Sequence, residues 1–273
     1  MDKAKQMTSD NSSFSTLIVE DNFPVLTVIL NRPSVANAMN LQMVNELMQV
    51  MTEVEAKQYR VLVLQGANGN FCAGGDIKDM QSAKGDKNAL IELNRSFGLM
   101  IEKANTLPAV VVCLLQGAVL GGGFGLACIS DVAIAQTSAK FALPETSLGI
   151  IPAQIAPFVV QRIGLTATRR MALLGIRIDA NQALTIGLVH QLAKDDVDLA
   201  EQLNQTIKLA LKCAPDANRV TKALLHDVAN LPMTDLLDNA AISFAKAVAS
   251  EGSEGAKAFM QKRPANWVKS PVL

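Results

Sequence analysis

Apolar residues in the first two thirds of the chain come in short, nearly unbroken runs. "FSTLIVE" (14–20) and "FPVLTVIL" (23–30) are β-branched and apolar, and a turn at Asp21–Asn22 between them predicts a strand pair. "NRP" ends the second strand, because proline cannot extend a ladder. Leu41, Val44, Leu47, Met48, Met51 and Val54 then recur at helical spacing. "RVLVLQG" (60–66) and "AVVVCLLQG" (109–117) are almost wholly apolar, as strands buried on both faces are. "DVAIAQ" (131–136) and "AKFALPE" (139–145) add two further strands.

From residue 196 the pattern changes to helical spacing. "VDLAEQLNQTIKLALKC", "APDANRVTKALLHDVA", "TDLLDNAAISFAKAVA" and "SEGAKAFMQKR" read as successive helices. This divides the chain into a polar tail at 1–13, an α/β core at 14–195 with a partly parallel sheet, and a helical region at 196–273. In the last two helices, Leu236, Ala240, Phe244 and Val248 form an apolar stripe, read as a subunit contact or as internal packing.

Composition narrows the function. The chain has 273 residues, 49% hydrophobic, with 25 Lys+Arg against 25 Asp+Glu. That balance argues against nucleic-acid binding, which leans on a basic excess. The longest apolar runs are interrupted by glycine and glutamine, so no membrane span is expected. Cys72, Cys113, Cys128 and Cys213 follow no pairing framework, and the start of the chain lacks an apolar secretory segment. The expectation is a cytoplasmic protein.

The chemistry is concentrated in "GAVLGGGFGLA" (117–127), with five glycines in eleven positions. A dinucleotide fingerprint fails, because Leu126 or Cys128 stands where the third glycine belongs. A phosphate loop fails for want of a closing Gly-Lys-Ser/Thr. A strand-to-helix turn whose backbone N–H groups approach a ligand is compatible, and so is tight strand–helix packing. "GANGNFCAGGDIKDM" (66–80) is a second such turn, with Asp76 placed as a helix cap. Two such turns can each lend one N–H to a single oxygen that becomes negative during reaction. His190 and His226 accompany no nucleophile elbow or metal spacing and read as structural, as does Cys72.

Taken together, "NRPSVANAMN", "FCAGGDIKDM", "QGAVLGGGFGLACISDVAIA", "AKFALPETSLGIIP" and "FMQKRPANW" resemble the enoyl-CoA hydratase/isomerase (crotonase) family over residues 14–267. The resemblance implies a spiral of strand-strand-helix units with a C-terminal helical trimerisation region. It also implies trimers or dimers of trimers, and a coenzyme A thioester as substrate with no separate cofactor or metal. By motif, the thioester oxygen would sit between the N–H groups of Gly75 and Gly122. Val35, Ala36, Ala73, Asp76, Ile77 and Lys78 would lie along the CoA ester, with Phe259 and Lys262 near its CoA end.

Hydratases of this kind carry two glutamates. Here the first position is Gly125, and the second is Glu145 in "FALPETSLG". A single glutamate leaves two reactions open: hydration with Glu145 handling both protons, or double-bond isomerisation. A CoA-ester binder without catalysis is the third possibility. The pattern P-A-x-I-x-P (152–157) together with Gly125 is similar to hydratases of branched glutaconyl-CoA esters, the methylglutaconyl-CoA and isohexenylglutaconyl-CoA types. Such substrates bring a second carboxylate, and glycine at 125 would remove a repelling charge and give space. Gln154 would orient water, bind that carboxylate, or simply start a helix.

Overall fold

The computed structural model describes residues 14–82 and 85–268, so the tail read at 1–13 lies outside the described residues. The chain opens with an antiparallel hairpin, β1 (Leu17–Asn22) and β2 (Val25–Leu30), paired from Leu17↔Leu30 to Asn22↔Val25. The turn is Phe23–Pro24, not Asp21–Asn22. Polar Glu20, Asp21 and Asn22 stay in the ladder because β1 is an edge strand with its far end exposed. Proline, which has no N–H to give, takes the turn.

From β2 onward the sheet is parallel: β3 (Val61–Gly66), β4 (Val110–Leu115), β6 (Val132–Gln136) and β9 (Gln191–Ala193), in the order β1-β2-β3-β4-β6-β9. Both faces of β3 and β4 are covered, which is why they read as unbroken apolar runs. Leu62, Leu64, Val111 and Cys113 join one core cluster with helix α1 (Leu41–Ala56). Val61, Val63, Val112 and Leu114 join another with Leu199, Ile207 and Leu211 of α7 (Asp196–Lys212). The alternation is the two-residue period of a strand divided between two layers.

A second, smaller sheet stacks the short strands β5 (Ala118–Leu120), β7 (Lys140–Ala142) and β8 (Arg177–Asp179), and single bridges Met39↔Gly75 and Cys72↔Val119 extend it. Each unit therefore runs long strand, short strand, helix. The helices are α2 (Ile77–Ser82) with α3 (Lys87–Thr106), α4 (Gly122–Ile129), α5 (Ala156–Leu174) and α6 (Ala180–Thr185). This is the α/β spiral the motifs implied.

After β9 come α7, α8 (Pro215–Asp227), α9 (Met233–Ala249) and α10 (Glu251–Met260). The apolar stripe of α9 is covered only at its start. Leu236 is buried, whereas Phe244 is 71% exposed and Val248 52%. No described helix is long and apolar enough to cross a membrane.

One charged residue interrupts the buried face of α1. Glu46 is 5% exposed and accepts hydrogen bonds from the backbone N–H groups of Ser15 and Thr16, from both their hydroxyls, and from Gln42 Nε2. Burial pushes its carboxyl up, but these donors outweigh burial and hold its pKa at about 2.

Candidate active site

The two glycine turns meet. In the first, five of the six backbone N–H groups from Phe71 to Asp76 are used: Phe71 donates to Gln116 O, Cys72 to Ala118 O, Ala73 to Ala36 O, Gly74 to Cys72 Sγ, and Asp76 to Met39 O. The exception is Gly75, which donates to no described group. In the second, Gly121 turns the chain at φ 49° and donates to Ala142 O at 3.1 Å. Gly122 opens α4, where first-turn N–H groups have no partner inside the helix. Its N–H likewise donates to no described group.

Contact between the turns is direct. A Cβ placed on Gly121 would lie 3.5 Å from Gly74 Cα and 2.9 Å from Glu145 Oε1. Side chains at this junction would push the turns apart. Gly75, Gly122 and Glu145 line one cavity of about 610 Å³.

Glu145 begins a single 3-10 turn, Glu145–Leu148, that follows Pro144 at the end of β7. Its Oε2 is buried and has no hydrogen-bond partner among the described residues. Burial raises its pKa above the ordinary carboxylate value, and its own backbone N–H offsets that in part. A carboxyl with one buried oxygen left unpartnered is a group that accepts and releases protons above the ordinary carboxylate range.

The two other acidic residues on the cavity wall are already engaged. Asp76, 8% exposed, accepts from Arg32 Nη2 at 2.8 Å and from the Lys78 N–H at 3.0 Å. Burial pushes its pKa up, but those donors and the Arg32 charge bring it below the usual value. Asp79 accepts from the Leu41 N–H at 2.7 Å. Both carboxylates order the loop between β3 and α3.

Position 125 corrects an expectation. Glycine there does not open space, because a Cβ on Gly125 would meet Ile155 Cγ2 at 2.5 Å. Ile155, 6% exposed, fills the place and forms part of the cavity wall. An apolar side chain stands where a second carboxylate could have stood.

The remaining expected residues are spread out. Gln154 lines the cavity with Gly75, Asp76, Gly122 and Glu145. Val35 and Ala36 form a tight turn whose Ala36 carbonyl accepts from Ala73, so these three share one strip beside the Gly75 turn, outside the cavity lining. Ile77 and Lys78 are exposed on the first turn of α2. Phe259, 86% exposed, and Lys262 lie at the end of α10 and do not line the cavity.

Sequence reading overlooked one whole wall. Leu90, Leu93, Asn94 and Phe97 of α3 line the cavity. Their i, i+3, i+4, i+7 spacing is the available signal, since it puts them on one helix face.

The histidines stand apart from this chemistry. His190 Nδ1 accepts from the Ala133 N–H at 3.0 Å beside the Arg162 guanidinium, and His226 is on α8. Burial pushes the Cys72 thiol up to about 11, which leaves it protonated.

The chain is similar to known proteins in both sequence and fold. The family model described as enoyl-CoA hydratase/isomerase matches residues 20–270. An enoyl-CoA hydratase/isomerase from Marinobacter aquaeolei superposes with a TM-score of 0.90 at 53% identity, over 93% of this chain and 99% of that one. Pseudomonas aeruginosa AtuE superposes at 0.91 with 53% identity, over 93% of this chain and 100% of that one. The 2,3-dehydroadipyl-CoA hydratase of Escherichia coli is 31% identical over 91% of this chain and 97% of its own.

Proposed function

Because the chain belongs to the enoyl-CoA hydratase/isomerase family, we propose that it adds water across the conjugated double bond of an enoyl-CoA thioester. One observation carries the reading. Two unpaired main-chain N–H groups, of Gly75 and Gly122, and one unpartnered carboxyl oxygen, Glu145 Oε2, open onto the same cavity.

The thioester carbonyl oxygen accepts from both N–H groups. When water attacks C3, negative charge moves through C2 onto that oxygen. Each preorganised donor then lowers the barrier by about 3–4 kcal/mol. Ionised Glu145 takes the proton from the attacking water as the C3–O bond forms. The same carboxyl, now protonated, gives that proton to C2 and is ionised again. Water's hydrogen and hydroxyl thus add to one face, and the thioester is regenerated. Raised basicity suits Glu145 to both steps.

The acyl part is proposed to be a branched glutaconyl type. Ile155 packed on Gly125 supports this, since position 125 brings no carboxylate to repel the substrate's own, and the cavity's Asp76 and Asp79 are engaged by Arg32 and the Leu41 N–H. The same arrangement also favours a second reading, isomerisation, in which Glu145 moves one proton between carbons and no water is added. We further read the protein as a cytoplasmic trimer or pair of trimers, with exposed Leu237, Ile242, Phe244 and Val248 on α9 supplying the contact.

A conjugated branched enoyl-CoA in ¹⁸O-labelled water separates the reactions. Hydration predicts label in a hydroxyacyl product. A shifted double bond without label would establish isomerisation, and no reaction alongside tight CoA-ester binding would leave only a binder.

A further inference from the structure

The α3 side of the cavity carries a polar relay with a fixed direction. Arg95 Nη1 donates to Gln154 Oε1 at 3.4 Å, and Gln154 Nε2 donates to Asn94 Oδ1 at 2.8 Å. Arginine has no acceptor, so it fixes the orientation of the Gln154 amide, which in turn fixes that of Asn94. Each amide oxygen therefore already accepts one donor. The Asn94 Nδ2 pair and the second N–H of Gln154 meet no described acceptor, which leaves more free N–H groups than free lone pairs on this wall. Asn94 and Gln154 line the cavity, and Arg95, outside the lining, reaches it through its contact with Gln154.

A mid-helix glycine makes room for the relay. Gly98 lies inside α3, where glycine weakens a helix, and it shows no positive φ that would require it. A Cβ there would meet Gln154 Oε1 at 1.9 Å and Arg95 Nη1 at 2.7 Å. The chain gives up helix propensity at this position in exchange for a seated amide.

We infer that Asn94, Gln154 and Arg95 form the receptor for an anionic acceptor on the acyl group, a carboxylate remote from the thioester, and so determine acyl specificity. The inference rests on the hydratase reading for its substrate frame, but its argument is the surplus of donors and not the glycine at 125. Arg95 is now paired with Glu102 at 3.1 Å, with both side chains more than half exposed. Such an exposed pair is weak, so it neutralises the guanidinium only in part and leaves positive charge next to the Gln154 amide. The cavity's own carboxylates Asp76 and Asp79 are already engaged, by Arg32 and by the Leu41 N–H at the start of α1.

The test compares 3-methylglutaconyl-CoA with 3-methylpent-2-enoyl-CoA, in which a methyl replaces the carboxylate. Wild type should favour the acid-bearing ester. Arg95→Gln should lower the ratio of the two kcat/KM values roughly 10-fold, mainly through KM, and Asn94→Asp, which puts an acceptor among the donors, roughly 100-fold. Arg95→Lys should restore part of the ratio. Equilibrium binding of glutaryl-CoA against pentanoyl-CoA provides the same ratio without turnover. If neither enoyl ester reacts but the binding ratio shifts with the variants, the hydratase reading fails and the receptor stands. If the ratios stay unchanged, or both esters weaken together, the relay is only a structural staple and the inference is overturned.

Discussion

Glu46 and Glu145 are two carboxylates withdrawn from water on the same chain, and their surroundings drive them in opposite directions. Glu46, on α1, is met by donors from Ser15, Thr16 and Gln42, and its pKa falls to about 2. Glu145, on the cavity, has a buried oxygen with no partner, and burial raises its pKa. Burial alone therefore does not mark a reactive carboxyl. The number of donors aimed at the charged form does. Saturated, the group clamps Ser15 and Thr16 to α1. Left unsatisfied, it is available to a substrate.

The difference can be tested by exchanging each acid for its amide. Glu145→Gln should reduce hydration by at least ~100-fold while leaving thermal stability equal or slightly improved, because a buried unpartnered charge is removed. Steady-state rates and thermal melts of one preparation check both halves. Glu46→Gln should do the reverse. It should lose about 2–3 kcal/mol of stability, read by denaturant unfolding, with kcat per folded molecule unchanged.

The two residues also differ in the sign of their pH dependence. For Glu46 the folded pKa is depressed, so its stabilisation is complete above the ordinary value of 4.5 and is lost as pH falls toward about 2. For Glu145 the folded pKa is raised, so its ionisation costs stability as pH rises through that higher value. The stability curves of wild type and Glu145→Gln should therefore part only above the ordinary carboxyl range. Activity of the wild type should rise over the same interval, since water needs an ionised base. The smallest effect belongs to Thr16→Val, which removes one hydroxyl donor to Glu46 and should cost about 1 kcal/mol by denaturant unfolding, with activity intact.

Local signals in the chain revealed much of this, and the gaps have physical causes. Strands β3 and β4 were legible because burial on both faces leaves an apolar run, and α1 because its stripe is regular. The two glycine turns stood out as local features, whereas Gly75, Gly122 and Glu145 were singled out only through the family resemblance, because a lone carboxyl beside proline looks like ordinary surface. The hairpin turn was misplaced because an edge strand tolerates polar residues that otherwise mark turns. The space at Gly125 was misjudged because its occupant, Ile155, comes from a segment that only the fold brings near. The α3 wall was overlooked because four residues on a helix face look like ordinary core until a cavity is found beside them. Short β8 carried too few residues to show a period.

The most direct measurement is a crystal structure with a bound unreactive saturated acyl-CoA. The account predicts the thioester oxygen within about 3 Å of the nitrogens of both Gly75 and Gly122, with the Glu145 carboxyl beside C2 and C3. A thioester oxygen bound to other groups, or an acyl chain lying away from Glu145, would contradict it.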